Sequence, residues 1–187
     1  MVTSYKNFWA LNPDEAVATG ILRAFFKKDA GVFMPLDAQF KDVDLLLINL
    51  KNKKSVTIQV KGSRAYEPQP KEKKKFGYGS GGWFFLKEET IMKCAADYFI
   101  FLVYVIRDDI DSGRRYTEPH VVTIKTSDLQ KLCKERKIIH TNYSFYIWID
   151  PKNKKAFDWR DENKKGIIDL DKYLDNNGLE ILSRELK

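Results

Sequence analysis

The chain has 187 residues, 43% of them hydrophobic and 13% aromatic, with 33 Lys and Arg against 26 Asp and Glu for a formal net charge of +7. That length and apolar content suit one domain, 1–187, with a sizeable core, and exclude a disordered or low-complexity chain. The basic excess suits a phosphate-backbone partner. Two cysteines far apart, Cys94 and Cys133, have no metal-ligand neighbour at short spacing and read as free thiols of a reducing, cytoplasmic compartment. No signal peptide is visible, and the longest apolar run, Tyr98–Ile106, is too short to span a membrane.

Met1–Trp9 is an aromatic leader expected to pack on the body. Asn12-Pro13-Asp14-Glu15 then starts a helix: Asn12 is the N-cap, Pro13 takes the first helical position and Glu15 completes a capping box. Val17, Ile21, Leu22, Phe25 and Phe26 form its apolar side to about Lys28. Gly31–Leu36 is a short strand, and Asp37–Lys41 a loop.

Val43–Leu50 and Ser55–Lys61 read as the arms of a β-hairpin, broken only by the polar Lys51-Asn52-Lys53-Lys54. A short symmetric turn would pair Leu50 with Ser55, Leu46 with Gln59 and Asp44 with Lys61. Strand alternation then puts Asp44, Gln59 and Lys61 on one face, and Leu45, Leu47, Val56, Ile58 and Val60 on the core face. An Asp–Lys ion pair at the sheet's end would account for two of the three polar residues. Their shared face on otherwise apolar strands, followed by Gly62-Ser63-Arg64, points instead to a site with room for a backbone or phosphate.

Ala65–Gly82 reads as a long loop: Pro68 and Pro70 break regular structure, Lys71–Lys75 is a basic run, and Phe76–Gly82 is glycine-rich and aromatic. Lys73, Lys74, Lys75 and Tyr78 are its candidate contacts to a nucleic-acid backbone and bases, against the alternative of a solvated loop. Trp83–Ala96 reads as a helix, and Tyr98–Ile106 as a strand buried on both faces. Such a crossover should lay Tyr98–Ile106 parallel to Ser55–Lys61. Beyond it, Asp108–Arg115 reads as a turn-rich connection, His120–Lys125 as a strand, Thr126–Arg136 as a helix, Tyr143–Asp150 as a strand with a return through Ala156–Trp159, and Asp169–Asn176 and Gly178–Leu186 as short helices. His120 and His140 read as surface or packing residues, Trp148 and Trp159 as core. The glycines of Gly77–Gly82 follow no predicted strand directly and carry no P-loop lysine, which argues against a small-molecule enzyme on an α/β sheet.

Asp44 on one strand with Gln59-Val60-Lys61 on the next resembles the PD-(D/E)XK nuclease signature in its Gln-x-Lys variant, with Val43 where the name has proline. The element order over Pro13–Ile106 matches that superfamily's αβββαβ core, found in restriction endonucleases and Holliday-junction resolvases. The resemblance implies an α/β fold: a mixed central sheet flanked by helices, with residues 107–187 as a C-terminal α/β extension. It implies a DNA endonuclease using Mg²⁺, with Mn²⁺ as a substitute. Asp44, the Gln59 side-chain oxygen and the Val60 carbonyl would be metal ligands, and Lys61 would act on the water or the phosphate. Ser63 and Arg64 would contact phosphate. A first-helix glutamate reaches the metal in several branches, so Glu15 is open to two readings, helix cap or ligand. Asp42 is a second-choice ligand. A homodimer would explain a double-strand cut or a junction substrate. Gln59 in the usual acidic position favours an alternative, an inactive nuclease-fold module that binds DNA or protein.

Overall fold

A computed structural model of the protein describes residues 12–35, 42–109, 111–135, 142–160 and 166–187. The leader Met1–Trp9, Leu36, the Asp37–Lys41 loop, Arg136 and His140 lie outside them. The described residues form a mixed α/β fold of two stacked sheets with helices. The first sheet takes the order β1 (Ala30–Phe33), β2 (Leu45–Asn49), β3 (Ser55–Gly62), β5 (Tyr98–Asp109), β6 (Arg114–Lys125). The second takes the order β4 (Ser80–Lys87), β7 (Asn142–Asp150), β8 (Lys155–Asp158), β9 (Ile168–Asp169). As the crossover predicts, β3 and β5 are parallel, from Ile58 opposite Tyr98 to Gly62 opposite Leu102. Every other paired neighbour is antiparallel.

Strand β5 organises both layers. Its even positions Ile100 and Leu102 join Leu45, Leu47, Val56, Ile58 and Val60 under two helices, α1 (Pro13–Phe26) and α5 (Asp175–Glu185). Those helices contribute Ala18, Leu22, Phe26, Leu179 and Leu182. The odd positions Phe99, Phe101, Val103 and Val105 face Phe84, Phe145, Ile147 and Ile149 of the second sheet. Each fully buried leucine or phenylalanine here contributes about 1.5–3 kcal/mol of transfer free energy. Short helices α3 (Glu88–Met92) and α4 (Thr126–Lys134) close the edges of this layer with Ile91, Leu129 and Cys133. Pro119 sits on β6, at the edge of its sheet, where a missing N–H leaves no ladder bond unmade on the open side. Among the described residues, no helix is long and apolar enough to cross a membrane.

Five expectations are corrected. In place of two short helices at Asp169–Asn176 and Gly178–Leu186, strand β9 ends at Asp169, a single 3-10 turn covers Asp171–Tyr173 and one helix, α5, runs from Asp175. The hairpin register differs by two residues, so Leu46 faces Thr57 and Ile48 faces Ser55. The turn is wider than a symmetric one because the Asn49 side chain accepts the N–H groups of Lys51 and Asn52, and Lys53 takes a left-handed φ of 62°. A shift of two conserves which face each residue occupies. Within the expected loop, residues Pro70–Phe76 form helix α2: Pro70 starts it, and Gln69 and Glu72 cap it reciprocally, the Gln69 N–H reaching Glu72 Oε2 at 2.8 Å. The expected helix over Trp83–Ala96 is mostly strand β4. Its Trp83-Phe84-Phe85-Leu86-Lys87 alternates exposed and buried, and it pairs with β7, some sixty residues away by the ladder Trp83 to Tyr146. The expected connection Asp108–Arg115 instead prolongs β5 and β6 into a twelve-residue hairpin arm on each side.

His120 is a packing residue, as expected, and also a clamp. Its Nδ1 lies 2.8 Å from Asp175 Oδ2, while Asp175 Oδ1 accepts the Val121 N–H at 2.9 Å. This ties β6 to the first residue of α5. Burial opposes a charge on His120, but the Asp175 hydrogen bond and the Asp175 and Glu118 charges outweigh it and raise its pKa above the ordinary value. A raised folded-state pKa stabilises fully below the unfolded value, about 6.5, and that contribution is lost as pH rises through the folded value. Thermal unfolding from about pH 5.5 to about pH 8.5 should therefore show wild type losing its advantage over His120→Asn as the pH rises.

Candidate active site at the end of the hairpin

Ladder β2–β3 stops at Leu45 opposite Ile58, and the chain before Leu45 turns back onto β3. The Asp44 N–H donates to the Ile58 carbonyl at 2.9 Å. Without a partner beyond this point, the Val60 N–H would be an orphaned buried donor. Asp44 supplies the partner: its Oδ2 accepts the Val60 N–H at 2.8 Å and also a bond from Gln59 Nε2. Asp44 and Gln59 are 9% and 3% exposed, so these bonds are made in a desolvated setting, where they are strong. Because the Gln59 amide nitrogen is committed to Asp44, the carbonyl is the part of that side chain left for another ligand. The backbone N–H and C=O of one strand residue point to the same neighbour, so the Val60 carbonyl is aimed past the end of β2 as well.

Lys61 is half-buried two residues along the Gln59 face. Asp44 and Lys61 do not form the ion pair that a purely structural role would give them: Asp44 is held by Gln59 and Val60, and among the described residues no carboxylate lies within salt-bridge distance of Lys61. Sequence spacing gave no sign of Cys94, yet its thiol joins this neighbourhood. Burial pushes it above its ordinary pKa; a backbone hydrogen bond from Ala96 and the Lys61 charge oppose this, and the Asp42 and Asp44 charges add to it. Cys94 Sγ is 3.9 Å from the Asp42 carbonyl, so Asp42 is part of the same surroundings.

Helix α1 presents its N-terminal turn to the same end of the sheet. The Asn12 side chain caps it through the Asp14 N–H at 3.0 Å. Glu15 is buried, on the stripe that continues through Ala18, Leu22 and Phe26 onto the sheet. Asp14 lies against Gly62: a β-carbon there would sit 1.9 Å from Asp14 Oδ2. The close approach that a glycine after Lys61 suggested is thus made by a carboxylate of the protein itself. Asp14 Oδ1 accepts the Tyr104 hydroxyl at 2.8 Å, and burial together with that bond and charge pushes the Tyr104 pKa well up.

The predicted phosphate contacts divide. Ser63 is buried, and its hydroxyl accepts the Trp83 N–H at 2.9 Å and donates to the Arg64 carbonyl at 3.2 Å. It fastens β4 to β3, so its hydroxyl is occupied within the fold. Arg64 is exposed on an open groove of about 450 Å³ lined by residues 62–66 and Trp83. On α2, Lys73 pairs with Glu67 at 3.1 Å, Lys74 is exposed, and Lys75 lies 5.2 Å from the Phe76 ring centre. Tyr78 is 43% exposed and has the Arg107 guanidinium over its ring at 5.8 Å.

The oxygen donors at the hairpin's end (a carboxylate, an amide carbonyl and a backbone carbonyl) are of the hard type that suits Mg²⁺ or Mn²⁺. Among the described residues, no three His, Cys, Asp or Glu side chains gather into a metal-holding group, so amide and backbone oxygens would have to complete the set. The seating of α1 can be checked. Gly62→Ala should lower the unfolding free energy by about 1–3 kcal/mol through overpacking against Asp14. Urea titration of Gly62→Ala combined with Asp14→Ala should then show less than the sum of the two single effects. No family model, curated protein or solved structure matches the chain.

Proposed function

We propose that the protein is a metal-dependent DNA endonuclease of the PD-(D/E)XK type, with a restriction endonuclease-like core formed by α1, β1, β2, β3 and β5. The observation that carries this reading is the convergence of Asp44, Gln59 and the Val60 backbone at the end of a buried hairpin, with Lys61 next along the strand and no salt-bridge partner for it among the described residues. A buried carboxylate and a half-buried lysine that do not pair with each other suit a third group carrying both signs of charge. A phosphodiester with a divalent cation is such a group.

Asp44, the carbonyls of Gln59 and Val60, and Glu15 at the same sheet end would hold the cation. Bound there, it supplies charge neutralisation on the phosphate and an acidified water. Lys61 binds the scissile phosphate and stabilises the negative charge that develops on it. Gln59 holds Asp44 in place through its amide nitrogen. Arg64, exposed on the adjacent groove, positions the neighbouring phosphate. Two copies of the chain would explain a double-strand cut or a junction substrate.

The second reading, a nuclease-fold module that binds DNA without cutting it, draws on the same bonds: with Gln59 and Val60 satisfied, Asp44 could serve as a purely structural cap. The two are separated by incubating plasmid and branched DNA with Mg²⁺ or Mn²⁺. Wild type should nick or cut, and Asp44→Ala and Lys61→Ala should each lower the rate by about 10²–10³-fold while still binding DNA. Binding without cleavage by all three, over both metals and both substrates, would establish the module instead.

A further inference from the structure

The outer face of the second sheet carries a row of aromatic rings that the cleavage chemistry does not use. Strand β4 sends Phe84 and Leu86 into the core and Trp83 and Phe85 outward, the latter two 38% and 59% exposed. Trp83 stands opposite Tyr146 on β7, and their rings stack at 4.7 Å with 22° between planes. The row continues both ways, with Tyr66 at 5.2 Å from Trp83, and Trp159 at 5.3 Å from Tyr146. Among the described residues, the far end is roofed, where Phe76 of α2 packs on Trp159, Trp148 and Phe157.

The chemistry around the rings selects an occupant. The Arg160 guanidinium lies 5.0 Å over Tyr146, and Arg64 stands exposed on the groove that contains Tyr66 and Trp83. Among the described residues, none that lines that groove is acidic. Ring faces and cations together match a partner with flat π surfaces and negative charge. The groove begins at Gly62, one residue beyond Lys61.

We propose that the Tyr66, Trp83 and Tyr146 row is a stacking platform for single-stranded DNA, which leads unpaired nucleotides to the Lys61 end of the hairpin. Duplex DNA cannot use it, because its bases already stack on one another and hide their faces. The inference rests on the nuclease reading for the fate of the strand, but binding to the platform needs no cleavage. It gives that reading a substrate class: frayed, branched or single-stranded DNA.

The test is a titration of intrinsic tryptophan fluorescence with oligothymidylate, and in parallel with a blunt hairpin duplex, in EDTA. Oligothymidylate should quench the fluorescence and bind more tightly than the duplex. Trp83→Ala and Tyr146→Ala should each weaken oligothymidylate binding about tenfold or more, and Trp83→Phe, which keeps a ring, should retain most of it. Oligothymidylate affinity indifferent to both alanine variants would overturn the platform, even if cleavage is intact. So would a concentration-dependent dimer that Trp83→Ala abolishes and oligothymidylate leaves undisturbed, since the row would then be a contact between copies. Ring-dependent binding by a protein that cuts nothing would keep the platform and retire the nuclease.

Discussion

Strand β5 has to be covered on both faces. Tyr98 to Val103 are all buried, and the run has no polar position that could face water. An unbroken apolar strand of this kind is stable only between two layers. Helices α1 and α5 supply one layer and the second sheet supplies the other, so most of the chain is recruited around this one element. Even the connection from β3 to β5 serves this need, because β4 leaves the first sheet and begins the second. Two buried hydroxyls hold it there: Ser63 accepts the Trp83 N–H, and Ser80 accepts the Ile106 N–H at 3.1 Å.

The candidate site follows from the geometry of that arrangement. Where β2 runs out, β3 continues beside β5 for four more residues, and its exposed edge has to be satisfied by something other than a strand. Asp44 does this with a side chain. A carboxylate so placed is oriented by the fold before any ligand arrives, and an oriented, desolvated carboxylate is a better ligand than a solvated one. The same constraint seats α1: Gly62 leaves the space that Asp14 fills, and Tyr104 on β5 pins that carboxylate. Backbone satisfaction and the placing of polar groups at the sheet's end are therefore one problem with one solution.

The second sheet has two unlike faces. Phe84, Phe145, Ile147 and Ile149 are buried against β5, as core. The opposite face has its rings only partly roofed by α2 and is flanked by arginines. Aromatic side chains have high strand propensity for either role, so composition alone does not separate a buried ring from a presented one. Burial, stacking geometry and the position of charges do.

How much of this the sequence determined depends on the range of the interactions involved. The helix over Pro13–Phe26, the two arms of the hairpin, the buried run Tyr98–Ile106 and the parallel pairing of β3 with β5 are all legible in it, because capping, alternation and apolar runs act over a few residues and a crossover has few solutions. The shared region of Asp44, Gln59 and Lys61 was also legible, since a register error of two leaves the faces unchanged. Tertiary structure alone decided the rest. Trp83–Lys87 reads as helix or strand until β7 arrives to pair with it. Pro70 and the lysines after it read as loop until capping by Gln69 and Glu72 and the seating of Phe76 on Trp148 and Phe157 make a helix of them. Asp14 and Cys94 carry no local signal of their surroundings, and Ser63 reads as a ligand contact until Trp83 takes its hydroxyl. In each case the deciding partner lies far along the chain, and local spacing carries no information about contacts that only folding brings together.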